Sequence, residues 1–172
     1  MNRFRREVYK KNNTRDIAII ELFINTGIRA GELTNLQIED IEITDRKGII
    51  NIREGKGRKY RTIPLNSDAR LALKNYIDEY CPKEIFWLGQ RGNLTQDGVT
   101  KMIKRYAKKV ELETKIHPHV FRHYFALRLL REKKVDLVTV SNILGHFDVN
   151  TTKIYLQPSL KDISDALENL II

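Results

Sequence analysis

The chain has 172 residues, of which 41% are hydrophobic and 31% charged, a composition typical of one globular domain with its own apolar core. It has no run of 18 apolar residues, which argues against a transmembrane helix. Its one cysteine, Cys81, excludes an internal disulfide framework and a multi-cysteine metal site, and fits a reducing compartment. The net charge of +9 predicts a polyanionic partner, nucleic acid before an anionic membrane, although plain solubility is the simpler alternative.

The first predicted elements differ sharply in composition. Residues 1–13 are charged and end in "KKNN", which indicates a basic linker or arm. Thr14 can cap a helix over "RDIAIIELFINTG", where apolar residues recur at helical spacing, and Gly27 can end it. The next stretch, "RAGELTNL", predicts a second, short helix. The domain is therefore expected to begin at residue 14 and to extend to residue 172.

A β-hairpin is predicted in the middle of the chain. "GIINIREGKGRKYRTIPL" contains two strand-like runs joined at "GKG", and Pro64 closes the second run. Lys56 lies between the two glycines, which allow a close approach of the backbone to a ligand. An ordinary polar turn explains the same residues. The spacing does not match a P-loop, which needs four residues between its glycines.

The second half of the chain is predicted to be helical. The expected helices run from Ser67 to about 80, from Thr95 to about 110, from Pro118 to about 134, from Asp136 to near 145, and over 159–172. The last segment is acidic, whereas residues 1–15 are basic. The predicted fold class is mainly α with a small antiparallel β-sheet.

Histidine and arginine side chains cluster in "HPHVFRHYFA". His119 and Arg122 are three residues apart, so they are expected on one helix face, and His123 partly shares it. A spacing of four between histidines also suits zinc, but the zinc motif H-E-x-x-H needs a glutamate where Val120 stands, and a neighbouring arginine repels a cation. Structural histidines with a solvated arginine remain the alternative for this stretch taken alone.

Three further positions carry possible chemistry. Arg29 follows a helix-ending glycine, and Glu32, three residues on, can hold it. Its guanidinium is either a surface charge or a planar fork for a phosphate. Near the end of the chain, "LGHFDVNTTKIYL" contains His146 and, nine residues later, Tyr155.

Together these segments resemble the catalytic domain of the tyrosine recombinases, the phage integrase family. The resemblance rests on "TGIRAGEL", "GKGRKYRTIPL", "HPHVFRHYFA" and "LGHFDVNTTKIY" in this order, over about residues 15–157. It implies the tyrosine recombinase catalytic-domain fold and a site-specific recombinase that cuts and rejoins DNA through a 3′-phosphotyrosyl intermediate without metal, ATP or other cofactor. It also implies a cytoplasmic protein, associated with a bacterial or phage nucleoid, that forms a homo-oligomer on double-stranded DNA, a tetramer, through the C-terminal helix.

The resemblance also assigns roles to individual residues. Two arginines would bind the scissile phosphate, a lysine would be the general acid, one histidine an acid/base, the other a further phosphate donor, and a tyrosine the nucleophile. In that order they are Arg29 and Arg122, Lys56, His119, His146, and Tyr155.

The chain departs from the family pattern in two respects. Tyr124 stands where the family often has a small or hydroxyl residue. The helical DNA-clamping domain that usually precedes the catalytic domain is expected to be absent from this chain. Two alternatives remain: a type IB topoisomerase-like or hairpin-forming relative with similar chemistry, and a DNA-binding module with an inactive site.

Overall fold

The computed structural model describes residues 1–53, 61–83, 86–89, 92–112 and 116–145. Seven α-helices and five short strands occur in this part of the chain. The helices are α1 (Asn2–Lys10), α2 (Thr14–Thr26), α3 (Ala30–Thr34), α4 (Ser67–Tyr80), α5 (Gln96–Lys109), α6 (Pro118–Leu127) and α7 (Leu137–Leu144). The strands are β1 (Ile41–Ile43), β2 (Gly48–Ile52), β3 (Arg61–Pro64), β4 (Leu88–Gly89) and β5 (Gly92–Asn93).

Helix α2 forms the centre of the hydrophobic core. It packs against α1, α4 and α6, and it is buried over almost its whole length. Ile19, Ile20 and Leu22 have no exposed surface although they point in different directions around the helix. A helix that is apolar on all sides must be covered on all sides, which explains why three helices surround this one.

The N-terminal segment requires a correction, because residues 2–10 form a packed helix where a linker or arm was predicted. Phe4 and Val8, one turn apart, are fully buried in the core. On the neighbouring face, Arg5 and Tyr9 donate hydrogen bonds to the buried carboxylate of Glu21 on α2, at 2.5 and 3.1 Å. The helix was not predicted because most residues of this segment are charged or polar and only two apolar residues form its buried face.

The helix ends lie close to their predicted positions. Asn13 and Asn66, one residue before the predicted Thr14 and Ser67, accept hydrogen bonds from the first turns of α2 and α4. Thr95 caps α5 as predicted, and Asp136 caps α7. Helix α6 stops at Leu127, earlier than expected, because a π-helical turn replaces the α-helix over residues 128–132.

Strands β1, β2 and β3 form an antiparallel sheet in that order, and β4 pairs with β5. Strands β2 and β3 are the two arms of the predicted hairpin, and Arg61 lies opposite Ile52. Its tip, residues 54–60, lies outside the described residues. Alternation along β3 places Arg61 on the same face as the buried Ile63.

These elements confirm the predicted class, mainly α with a small antiparallel sheet. Over the ranges given above, no helix combines the length and apolar character needed to cross a bilayer. Strand β3, α3, α6 and the end of α7 meet next to the C-terminal end of α2, where the candidate site lies.

Candidate active site

The C-terminal end of α7 is surrounded by arginine side chains. Its last backbone carbonyls cannot be satisfied within the helix, so they need outside donors. Arg61 donates to the oxygen of Ile143 at 3.1 Å, Arg122 to that of Leu144 at 2.6 Å, and Arg29 to that of Gly145 at 2.9 Å. Three guanidinium groups from three separate segments therefore meet at one helix end, where the helix dipole favours positive charge.

Arg122 is the most deeply buried of the three arginines, with 4% of its surface exposed. Besides Leu144, it donates to the carbonyl oxygen of Gly27 at 2.7 Å, so it joins the end of α2 to the end of α7. A buried charge is tolerated only with such partners. Arg122 thus contacts Gly27, which lies two residues before Arg29 in the chain.

Arg29 lies at the start of α3 and is held by Glu32, as their spacing suggested. The Glu32 carboxylate accepts from the backbone N–H of Arg29 at 2.9 Å and from its guanidinium at 2.6 Å. Arg61 donates to both oxygens of the same carboxylate, at 2.8 and 2.7 Å. Two arginines therefore share one carboxylate, and 35% of the Arg29 side chain stays exposed to a ligand.

Glu32 carries a strongly shifted pKa. Its burial would raise the pKa, but hydrogen bonds from Arg61 and from the Arg29 backbone, with the positive charge of Arg61, lower it to about 2. Glu32 is therefore ionised at any working pH. Among the described residues, three guanidinium charges meet this one carboxylate, an excess of about +2 that suits an anion such as a phosphodiester.

Two glycines with positive φ permit this geometry. Gly27 (φ +62°) ends α2, and a Cβ there would lie 2.6 Å from Cδ1 of Phe125. Gly145 (φ +67°) ends α7, and a Cβ there would lie 2.7 Å from Nη1 of Arg61. Both glycines are required for conformation and for space, because a side chain would displace α6 from α2 or Arg61 from α7.

The histidines of α6 are more exposed than the arginine between them. His119 occupies the first turn of α6, just after Pro118, and is exposed, as is His123. The His119 ring lies 5.9 Å from that of His117, measured between centroids. His119 and Arg122 therefore start from adjacent turns, one open to solvent and the other buried.

The structure thus brings together two of the predicted site residues, Arg29 and Arg122, and describes a third, His119, on the same helix as Arg122. Lys56, His146 and Tyr155 lie outside the described residues, and their roles stay predictions. In the described ranges, no three His, Cys, Asp or Glu side chains are close enough to hold a metal ion.

Arg61 and the shared use of Glu32 were missed by the sequence analysis. Several basic residues surround the hairpin turn, and charge alone does not separate Arg61 from Arg58 or Lys59. The alternation of β3 does contain a signal, because Arg61 is two residues from the apolar Ile63 and so belongs to the inward face.

Comparison with known proteins gives matches to one family in both sequence and structure. The model of the phage integrase family matches residues 1–161. Tyrosine recombinase XerA of Pyrococcus furiosus is 36% identical over 94% of this chain and 57% of its own length, and tyrosine recombinase XerC of Thermodesulfovibrio yellowstonii is 37% identical over 90% and 54%. The chain spans little more than half the length of these curated relatives.

Solved structures agree with the sequence matches. The crystal structure of XerA recombinase has a TM-score of 0.85 and 30% identity, over 99% of this chain and 61% of that chain. The XerH site-specific recombinase bound to its difH substrate has a TM-score of 0.79 and 27% identity, over 99% and 52%. The predicted tyrosine recombinase catalytic-domain fold is confirmed.

We predict that the stability contributed by the Glu32 charge is lost only in strong acid. A lowered pKa in the folded state stabilises the fold above the ordinary value of 4.5, and this contribution disappears as pH falls towards about 2. The free energy of unfolding of Glu32→Gln, measured with urea, should be lower than that of the unmodified chain at neutral pH, with a charge-dependent part of about 3 kcal/mol.

The difference should shrink between pH 4.5 and 2, the interval between the ordinary and the lowered pKa of Glu32. Asp45→Asn is the matched control, since 92% of the Asp45 side chain is exposed and its ion pair with Lys74 spans 3.5 Å. A Glu32→Gln difference that is independent of pH would contradict the ionised, arginine-bound state of Glu32.

Proposed function

The chain belongs to the phage integrase family, and from this premise we propose that it is the catalytic domain of a site-specific DNA recombinase. It would cut and rejoin double-stranded DNA through a 3′-phosphotyrosyl intermediate. The observation that carries the proposal is the convergence of Arg29 and Arg122 on the end of α7. The segment that contains His146 and Tyr155 follows directly from that helix end in the chain.

The arginines would act on the phosphate. Attack at phosphorus places extra negative charge on the non-bridging oxygens, so catalysis depends on fixed positive donors more than on covalent chemistry. A guanidinium group offers planar donors in a fixed geometry, and the contacts of Arg29 and Arg122 with Glu32, Gly27 and the α7 carbonyls fix both groups before DNA binds. His146 would add a further donor. This electrostatic stabilisation needs no metal ion or nucleotide.

Tyr155 would be the nucleophile. Its phenolic oxygen forms a bond to phosphorus, His119 takes the phenolic proton, and the bond to the 5′ oxygen breaks. Two described tyrosines are unsuited to this step, because Tyr76 and Tyr106 are buried, donate their hydroxyls to Phe86 O and to Asp16, and have a raised pKa. The exposed His119 is accessible to a substrate.

Lys56 would protonate the leaving 5′ oxygen. The lysine lies in the tip of the hairpin between β2 and β3, and β3 begins with Arg61 next to the arginine cluster. An alkoxide is a poor leaving group, so a proton from an ammonium group lowers the barrier to its departure. The phosphotyrosine conserves the bond energy, and religation reverses these proton transfers.

A second copy of the chain is the proposed protein partner. Ile163, Leu167 and Leu170 recur at helical spacing in the acidic segment 159–172, whereas residues 1–15 are basic. Recombination needs several active sites on two duplexes, so a tetramer on DNA joined through the C-terminal helix fits the chemistry. The reaction would take place in the cytoplasm, where the DNA is.

Tyr155→Phe tests the nucleophile. The change removes one hydroxyl, so we expect binding of a nicked duplex to be unchanged and the covalent protein–DNA adduct to be abolished. The adduct is measured by denaturing gel in EDTA without nucleotide, which also tests independence from metal and ATP. Tyr80→Phe is the control and should form the adduct.

Two outcomes would contradict these expectations. If Tyr155→Phe still forms the adduct, Tyr124 becomes the next candidate for the nucleophile. If adduct formation requires Mg²⁺, the metal-free mechanism is refuted.

Lys56→Ala separates proton donation from charge stabilisation. If the bridging 5′ oxygen is replaced by sulfur, the leaving group needs no proton, and Lys56→Ala should recover most of its cleavage rate. Arg29→Ala and Arg122→Ala should stay slow on both substrates, because their role does not depend on the leaving group. Lys59→Ala, the matched control, should cleave the ordinary substrate almost normally. No recovery for Lys56→Ala would move the general acid to His119 or Lys59.

Deletion of residues 159–172 tests the proposed partner. Cleavage of a single nicked site should be retained, because it needs one active site, and strand exchange between two duplexes should be reduced. A chain with Lys161→Ala alone is the control and should exchange strands normally. If the truncated chain unfolds in thermal melting, the segment belongs to its own core and the proposed contact between subunits is refuted.

A further inference from the structure

Arg61 donates three hydrogen bonds to described residues of the candidate site, although the proposed mechanism gives it no role. Both terminal nitrogens donate to the Glu32 carboxylate, at 2.8 and 2.7 Å, and Nε donates to the Ile143 carbonyl at 3.1 Å. Only 12% of its side chain is exposed. The planar fork of a guanidinium matches the two oxygens of a carboxylate, a geometry that lysine cannot reproduce.

The carboxylate that Arg61 holds is also the one that holds Arg29. Oε1 of Glu32 accepts from Nη1 of Arg29 and from Nη1 of Arg61, at 2.6 and 2.8 Å, and Oε2 accepts from the Arg29 backbone N–H and from Nη2 of Arg61. The direction of the carboxylate therefore sets the direction of the Arg29 guanidinium. Arg61 fixes that direction because it binds both carboxylate oxygens.

Arg61 also divides the negative charge of Glu32 between two cations. Glu32 has 8% of its side chain exposed, so water offers this charge little compensation. Without the Arg61 fork, the whole carboxylate charge would be directed at Arg29. Glu32 would then compete with any anionic ligand for the Arg29 guanidinium.

We propose that Arg61 is a positioning residue for the cleavage step: it orients and neutralises Glu32 so that Arg29 is presented to the scissile phosphate. This inference rests on the proposed function. It predicts that loss of the Arg61 fork slows the chemical step by weakening Arg29, and leaves DNA binding nearly unchanged because binding depends on many other phosphate contacts.

A purely structural role for Arg61 makes a different prediction. Arg61 also satisfies a carbonyl of α7. If this were its only role, the loss of Arg61 would lower the free energy of unfolding without changing the cleavage rate of folded molecules.

Arg15 provides a matched control at the other end of α2. It is half-buried, donates to the carbonyl of Leu88 at 2.6 Å, and donates to the buried carboxylate of Asp16 at 2.8 Å.

The experiment compares Arg61→Lys, Arg15→Lys and the unmodified chain in single-turnover cleavage of a nicked duplex at saturating protein. We expect Arg61→Lys to cleave about tenfold or more slowly, the size typical for a weakened charge-stabilising group, with a Kd for DNA within about twofold. Arg15→Lys should keep its rate. Thermal melting curves give the folded fraction of each variant at the assay temperature.

A neutral substrate identifies the residue through which Arg61 acts. A methylphosphonate at the scissile position lacks the non-bridging charge that Arg29 would stabilise, so the rates of Arg61→Lys and the unmodified chain should converge on it. A double variant tests the competition between Glu32 and the phosphate for Arg29. Arg61→Met combined with Glu32→Gln lacks the competing carboxylate, so it should cleave the ordinary substrate faster than Arg61→Met alone.

Several results would overturn the assignment. A normal cleavage rate for folded Arg61→Lys leaves only a structural role, whether or not its melting temperature falls. A rate defect of unchanged size on the methylphosphonate, or no gain from the added Glu32→Gln change, means that Arg61 does not act through Glu32 and Arg29. An unmodified chain that forms no adduct refutes the proposed function itself, and this outcome is distinct from the others.

Discussion

The end of α7 imposes a constraint on which the rest of the site depends. The last carbonyls of a helix need donors, and here arginines from α6, from β3 and from the start of α3 supply them. Each arginine comes from a different part of the chain, so the site exists only when β3, α3 and α6 are all packed around the end of α7. Folding and assembly of the site are therefore one event.

Glu32 makes this concentration of positive charge tolerable. Three guanidinium groups that converge without a counter-ion would repel one another, and a fully neutralised cluster would have no attraction for a phosphate. Among the described residues, one buried carboxylate, shared by Arg29 and Arg61 and kept ionised by them, offsets part of this positive charge. The backbone carbonyls orient the remaining donors without adding a formal negative charge.

Sequence reasoning succeeded where local chemistry determines the structure. The hairpin arms β2 and β3, the helix starts near Thr95 and Asp136 and the helix-ending Gly27 and Gly145 could be predicted, because each depends on a few adjacent residues. Motif order also identified the family. The two features that were not predicted depend on residues distant in the sequence. Helix α1 is held by Glu21 of α2, and the role of Arg61 depends on Glu32, 29 residues earlier. Neither partner can be found from charge or periodicity within one segment.

The α7 end is held through main-chain oxygens, and this has an evolutionary consequence. A substitution at Ile143 or Leu144 changes a side chain but cannot delete the carbonyl that an arginine contacts. The helix can therefore vary in sequence while its attachment persists, except at Gly145, where any side chain meets Arg61. Loss-of-function variants in this region should accordingly concentrate at the arginines and at this one glycine, while the residues between them drift under the weaker demand of filling the core.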